Sequence, residues 1–209
     1  MTGAAAKLPS MSLLGKVHQT RIFPRRARRL VELLAQVIPV NQSVLDVGCG
    51  DGLIDSLLMT LRPDLRLEGA EVLLRPHTYV PVKQFDGSHL PHDDHSFDTV
   101  LFVDVLHHTT DPMVLLREAV RVARHSLVIK DHLREGFLAG PRLRFMDYVG
   151  NAHHGVALPY NYWRAAQWEE AWQLLHLNKG AEFKSLQLYP WPAHIFDGGL
   201  HFLARLEAD

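Results

Sequence analysis

Three places in this chain hold residue types that can do chemistry. The first is Val44-Leu45-Asp46-Val47-Gly48-Cys49-Gly50-Asp51-Gly52, where apolar β-formers run into a loop with glycine at every second position. An apolar, helix-compatible run follows through Leu53, Ile54, Leu57 and Leu58. A short buried strand, a loop that a ligand must approach closely, and a helix start form the entrance to a nucleotide-type site. The second is a set of acidic residues and histidines at the ends of later apolar runs: Glu71, Asp86, and Asp104 through His107 and His108. The third is a polar and aromatic cluster holding Arg142, Arg144, Asp147, Tyr148, Asn151, His154, Tyr160, Asn161 and Tyr162.

The glycine spacing narrows the ligand. A nicotinamide fingerprint needs G-x-G-x-x-G, whose last glycine lets the helix pack close under a pyrophosphate. Here position 53, where that third glycine belongs, is leucine. Asp46 inside the strand end is unhelpful beside a pyrophosphate but useful beside a cationic group. No Gly-Lys-Ser/Thr follows, so a phosphate loop of that kind is excluded.

These residues need elements to position them. Pro24 suits a helix first turn, and Ala27, Leu30, Val31, Leu33, Leu34 and Val37 give an apolar stripe ending before Pro39. The arginines from Arg21 to Arg29 lie on or near the other side, where a solvated helix face is expected. Strands are expected at 44–47, 65–72, 79–85, 97–105 and 126–131. Pro81 marks the third as an edge or strand-end segment. A helix is expected from Gly52 to Leu61. Asp111 as cap and Pro112 at the first position start another, running to Ala123. Residues 164–177 form a further helix, with Trp168 and Trp172 on one face as core. Segments 181–189 and 200–206 are expected to close the sheet as a hairpin. The β-α-β repetition with short connections argues for an open parallel sheet with helices on both faces.

Composition sets bounds. With 209 residues, 47% of them hydrophobic, the chain suits one domain with a substantial core. Residues 1–20 read as a flexible arm, and 21–209 as the single domain. A net charge of −1 gives no broad footprint for nucleic acid. A lone cysteine, Cys49, excludes an internal disulfide and any cysteine-rich zinc site. No apolar leader or membrane-spanning run is seen, so a cytoplasmic location is expected.

At this point the residues resemble a family. Val44 to Gly52 is similar to the first motif of class I S-adenosylmethionine-dependent methyltransferases, in particular the small-molecule group that includes the ubiquinone and menaquinone enzymes. Asp86-Gly87, Leu90-Pro91 and Asp94-His95-Ser96-Phe97-Asp98-Thr99-Val100 are similar to the family's stretch around its third and fourth strands. Asp104-Val105-Leu106-His107-His108 with Asp111-Pro112 is similar to its next motif. The resemblance covers roughly residues 25–131, in order. It implies an α/β, doubly wound, mostly parallel seven-stranded sheet, with a lid inserted after strand 5 at residues 133–163.

The resemblance also implies roles. S-adenosylmethionine is the expected cofactor and S-adenosylhomocysteine its product. The Gly48, Cys49, Gly50 and Gly52 loop would lie against methionine and ribose, and Asp46 would help hold the cationic amino end. Glu71 would accept the ribose hydroxyls. Asp86 would face the adenine amino group, with Gly87 leaving room for the ring. Asp104 to His107 would flank the methyl. His107 and His108 are the first candidates for a base that takes the acceptor's proton. Asp131, His132, Asp147, His154 and Tyr160 are candidates for the acceptor pocket. The expected acceptor is a small molecule, with O-methylation ahead of C- or N-methylation. A non-catalytic binding or scaffold protein on the same fold, and a nucleic-acid methyltransferase, are the alternatives, with a nicotinamide dehydrogenase behind them. His89, His92 and His95 follow no fixed zinc spacing, so no metal is expected there. Cys49 reads as a small filler of the loop.

Overall fold

The computed structural model describes residues 22–151, 159–189, 191 and 198–208; the side chains of 150 and 151 are outside the description. The expected arm and His154 therefore lie outside the described residues.

In chain order the elements are α1 (Phe23–Val37), β1 (Ser43–Val47), α2 (Leu53–Leu61), β2 (Arg66–Glu71), β3 (Val82–Gln84) and β4 (Phe97–Val103). A single 3-10 turn (Leu106–His108), α3 (Pro112–Val122), β5 (Ala123–His132), α4 (Ala139–Asn151), α5 (Ala165–Leu174), β6 (Leu177–Phe183) and β7 (His201–Ala208) follow. One seven-stranded sheet has the order β3-β2-β1-β4-β5-β7-β6. All pairings are parallel except β5 with β7 and β6 with β7. The doubly wound, mostly parallel sheet is thus as expected.

The central strands are apolar on both faces because helices cover both. Leu45 and Val47, Val100 and Phe102, and Leu127 and Ile129 pack with Leu115, Leu116, Ala119 and Val122 of α3 and with Trp168 and Trp172 of α5. The intervening Val44, Leu101 and Val128 pack on the other side with the α1 stripe and Leu58 of α2. Alternate residues of a strand point to opposite faces, so the near-continuous runs each feed two cores. The Trp168 and Trp172 rings stack at 5.1 Å, as core residues of α5.

Several segments depart from the expected bounds: β4 ends at Val103 and β5 starts already at Ala123. β3 is shorter, because Pro81 has no N–H to pair and Tyr79 instead donates to the Asp51 carbonyl at 2.8 Å. That pulls residues 79–80 over the glycine loop. β6 begins at Leu177, not Ala181, since His176 at φ 54° turns the chain sharply after α5. Its Asn178-Lys179-Gly180 stretch looks like a turn but serves as an edge strand, where charged residues discourage further pairing. Residues 185–188 are not strand, yet Leu186 and Leu188 are buried against the α1 side. The insertion at 133–163 contains a helix, α4, with Pro141 tolerated in its first turn.

A buried acid pair sits where β1 meets α2. Asp46 is 3% exposed and Asp55 fully buried. Neither oxygen of Asp55, nor Asp46 Oδ1, meets a partner N–H or hydroxyl. Burial pushes both carboxyls up, Asp55 to about 7, and each is further raised by neighbouring acid, Asp55 for Asp46 and Asp51 for Asp55. A raised folded-state pKa means stability that is fully present below the ordinary value of 3.8 and is lost as pH rises through about 7. Asp55→Asn should therefore raise stability at pH 8 by on the order of 2 kcal/mol, roughly 4–8 °C in melting temperature, and leave pH 4 little changed. Thermal melts of both proteins at the two pH values check this; equal shifts at both would refute it.

Candidate functional site

The strand order reverses between β1 and β4, and a cleft of about 1310 Å³ opens outside the carboxyl ends of the strands there. That is where open α/β sheets bind ligands. One half is lined by Gly48, Cys49, Gly50, Asp51 and Glu71, the other by Asp104, Val105, His108, Thr109, Thr110, His132, Met146 and Asp147.

The glycine loop is built around close approach. Gly48 has φ +79°, and a Cβ there would lie 2.6 Å from Val105 Cγ2. The segment after β4 thus closes directly on the loop. Gly50 at φ +64° has open space above it. Its N–H donates to Glu71 Oε2 at 2.9 Å, while Glu71 Oε1 accepts from Val72 N at 2.8 Å and Leu73 N at 3.1 Å. One carboxylate at the end of β2 therefore ties two loops together beside the cleft. Gly52, in the left-handed region, caps α2 beneath Val80. The Cys49 thiol is pushed up by burial and by Asp46, Asp55 and Glu71, so it is no nucleophile at neutral pH. It fills the space over Gly69, as expected of a small packing residue.

Asp46 and Asp86 depart from their expected places. Asp46 does not line the cleft; it faces Asp55 behind the loop, since the alternation of β1 turns it to the α2 side. Asp86 is exposed, and its Oδ1 accepts from Ser88 N, Ser88 Oγ and His89 N at 2.7–2.8 Å, so it holds the following turn. Its neighbours Phe85, Gly87 and Ser88 do line the cleft.

Asp104 follows β4 in the left-handed region, φ 57°, a conformation that non-glycine residues adopt where the surroundings enforce it. The enforcement is visible. Its carboxylate accepts from Arg26 of α1 and from the fully buried Lys130 of β5. Burial alone would raise its pKa, but Lys130 and Arg26 hold it well below the ordinary range. Arg26 is thus part of the cleft wall, not of a solvated face. Arg29, too, is engaged, with the Leu186 carbonyl at 3.1 Å. Sequence reasoning missed both Arg26 and Lys130. A lysine inside the apolar run of β5 was the available signal, because such a side chain is buried only with a partner.

Beyond Asp104 lies a buried network. Asp131 Oδ1 accepts from His107 Nδ1 at 2.6 Å and from His132 N at 2.7 Å, and its Oδ2 accepts from Leu106 N at 2.9 Å. His107 Nε2 lies 3.4 Å from Asp147 Oδ2, and Tyr162 donates its hydroxyl to the same oxygen. Burial opposes charge on His107, yet Asp131 and Asp147 outweigh it and raise its pKa to about 10. His107 is 2% exposed and does not line the cleft. His107 is therefore held between two carboxylates behind the cleft wall. His108, unlike His107, lines the cleft, and burial with the neighbouring His107 lowers its pKa to about 4. Of the acceptor candidates, His132 and Asp147 line the cleft. Asp131 is fully buried beneath them. Tyr160 stands back from the cleft, under Arg144 at 5.4 Å. Asn161 ties this segment to the turn after β4, through N to the His107 carbonyl at 3.1 Å and Nδ2 to the Thr109 and Thr110 carbonyls.

His89, His92 and His95 each turn to a different neighbour. His89 pairs with Glu118 at 2.9 Å, and His95 Nδ1 meets the Ala123 carbonyl at 2.9 Å. His92 packs edge-on against Phe97.

Residues 45–126 match a family model described as a methyltransferase domain. A 27-O-demethylrifamycin SV methyltransferase of Amycolatopsis mediterranei is 30% identical over 111 residues, 46% of this chain and 40% of that protein. A ribosomal RNA small subunit methyltransferase G of Frankia casuarinae is 39% identical over 82 residues, 36% of this chain and 29% of that protein. The chain thus spans less than half the length of these curated relatives. A solved S-adenosylmethionine-dependent methyltransferase from Aquifex aeolicus shares the fold, with a TM-score of 0.62 and 15% identity over 93% of this chain and 97% of that one. Residues 45–126 are thus similar to a methyltransferase domain, and the fold is one that solved S-adenosylmethionine-dependent methyltransferases share. No described helix is long and apolar enough to cross a membrane.

Proposed function

We propose that the protein transfers a methyl group from S-adenosylmethionine to a small-molecule acceptor, with a hydroxyl oxygen as the accepting atom. The observation that carries this is the two-ended cleft: a glycine loop held by Glu71 at one end, His108 and Asp147 at the other. The fit to the cofactor rests on Gly50, where nothing stands above the missing Cβ, and on the Glu71 carboxylate in the same half of the cleft, which would accept ribose hydroxyls. When bound, the cofactor supplies a methyl already activated on a sulfonium, for in-line displacement. The chain then has to hold, orient and exclude water. Gly48 to Asp51 present backbone to the cofactor, and Asp104 sets a fixed negative charge beside the reacting end. His108 and Asp147 face the acceptor end, with Asn161 pinning the segment that covers it. The rifamycin enzyme acts on a small molecule, and the near-neutral chain suits one.

The ribosomal RNA relatives define the competing reading. Calorimetric titration with S-adenosylmethionine, S-adenosylhomocysteine and NAD comes first; binding of the two sulfur compounds and not NAD is expected. Methyl incorporation into small hydroxylated aromatics, compared with ribosomal RNA, then separates the acceptors. NAD binding alone would overturn the cofactor assignment, and labelling of RNA alone would overturn the acceptor class.

A further inference from the structure

The wall between His107, His108 and Asp147 has a donor set that none of the preceding chemistry uses. His107 Nε2, His108 Nδ1 and a carboxylate oxygen of Asp147 lie within 4.8 Å of one another. Both of those ring nitrogens are buried and make no hydrogen bond, His107 Nε2 meeting only the Asp147 carboxylate at 3.4 Å. A buried polar atom without a partner is costly, and such atoms in native proteins ask for an explanation. We infer that His107 Nε2, His108 Nδ1 and Asp147 bind a divalent transition-metal ion, Zn²⁺ above all, at the acceptor end of the cleft.

The geometry fits at each level. Two ligands at bonds of about 2.05 Å and a tetrahedral angle stand roughly 3.3 Å apart. His107 Nε2 and Asp147 Oδ2 are 3.4 Å apart already, before any ion pulls them in. The supporting contacts are those that histidine and carboxylate ligands normally have. Asp131 accepts a hydrogen bond from His107 Nδ1 at 2.6 Å, which fixes the ring and aims Nε2 at the site. Asp147 is held by the Tyr162 hydroxyl. Asp131 is in turn anchored by Leu106 N and His132 N, so the support is rigid. Charge points the same way. Two buried carboxylates, Asp131 and Asp147, flank the site, and a dication offsets both.

Two other groupings of histidine and aspartate occur among the described residues, and both are worse. Asp104, His132 and His201 surround the Lys130 ammonium, 3.2 Å from His201 Nδ1, which repels a cation. His107, Asp131 and His132 would use His107 Nδ1, already committed to Asp131. Two nitrogens and one oxygen favour zinc and its transition-metal neighbours over magnesium. Three protein ligands leave positions open, and His108 and Asp147 both line the cleft, so those positions face the acceptor. An acceptor hydroxyl that takes one is oriented and made more acidic, its proton passing to solvent. That use rests on the methyl-transfer reading; binding of the ion does not.

The test is a titration of tag-free, EDTA-dialysed protein with Co²⁺, read by its visible absorption, followed by displacement with Zn²⁺. One ion per chain is expected, with roughly micromolar affinity or better. His108→Ala and Asp147→Asn should each weaken it by about 100-fold or more, at the upper end of what loss of a supporting contact costs. His92→Ala and His201→Gln should leave it unchanged. Circular dichroism reports whether each variant is folded, and His108→Ala, at a half-exposed position, decides the matter should Asp147→Asn not fold. No stoichiometric binding by the parent protein, or binding lost in His201→Gln but kept in His108→Ala, overturns the inference. The S-adenosylmethionine titration is independent of this one, so failure of either reading is recognisable by itself.

Discussion

Replacing Asp131 by alanine should cost the metal-free protein about 3–5 kcal/mol of stability, the range for breaking a buried charge pair by removing one partner. For a chain of this size that corresponds to a fall of roughly 6–20 °C in melting temperature. The carboxylate is fully buried and accepts from Leu106 N, His107 Nδ1 and His132 N, with His132 Nδ1 a further contact at 3.3 Å. Its removal leaves the His107 imidazolium with Asp147 alone, and strands two backbone N–H groups with no solvent to replace the oxygen. The consequence reaches the cleft. The Leu106–His108 turn is held to β5 by this carboxylate, so His108 loses its anchor along with His107. Asp131→Asn should be the milder change, because the amide oxygen still accepts from one backbone N–H. Urea unfolding of the three proteins gives the ranking. A loss below 1 kcal/mol for alanine would mean that the network forms without Asp131 and that its hydrogen bonds are incidental.

The contrast between that network and the glycine loop shows what sequence can carry. The loop is legible because its chemistry is local: Gly48, Gly50 and Gly52 are contiguous, and their backbone angles require glycine wherever the chain is met. The parallel strands are legible for a related reason, since burial on both faces demands unbroken apolar runs. Asp111 and Pro112 marked the start of α3, and the Asp111 side chain does accept from Met113 N at 3.0 Å. The site walls are different. Arg26, Asp104 and Lys130 come from three elements, and their pairing follows from where β4 and β5 end relative to α1. His107 and His108 are adjacent in sequence but opposite in state, one clamped by carboxylates and the other facing the cleft. No local pattern separates them, because the discriminating partner, Asp147, arrives on α4 from the insertion. Asp46 faces Asp55 for a simpler reason. Alternation along β1 turned it away from the cleft, and Asp55, an acid among apolar neighbours on α2, was the partner that the alternation demanded.

Glu71→Ala should weaken S-adenosylmethionine binding by about 100-fold, the equivalent of two hydrogen bonds to a charged group at roughly 1.5 kcal/mol each. The carboxylate has two jobs in this cleft, and alanine removes both. It holds the loop, through Gly50 N at 2.9 Å, and the turn after β2, through Val72 N and Leu73 N. In the proposed complex it also accepts the ribose hydroxyls, from its place between the glycine loop and the exposed apolar side chains of Val72 and Leu73. The two jobs are separable. Glu71→Gln keeps an oxygen for one backbone N–H but halves the acceptors and loses the charge, so its deficit should fall between parent and alanine. Glycine substitutions act elsewhere: Gly48→Ala forces a Cβ within 2.6 Å of Val105 and strains the backbone, so it perturbs the loop while leaving Glu71 intact. S-adenosylmethionine and S-adenosylhomocysteine share the ribose and differ at the sulfur. Loss of Glu71 should therefore weaken both equally, whereas a change at Asp104, beside the reacting end, should favour one over the other. Calorimetry with both compounds reads this ratio directly. Unequal losses for Glu71→Ala would move the ribose away from β2, and with it the orientation of the cofactor in the cleft.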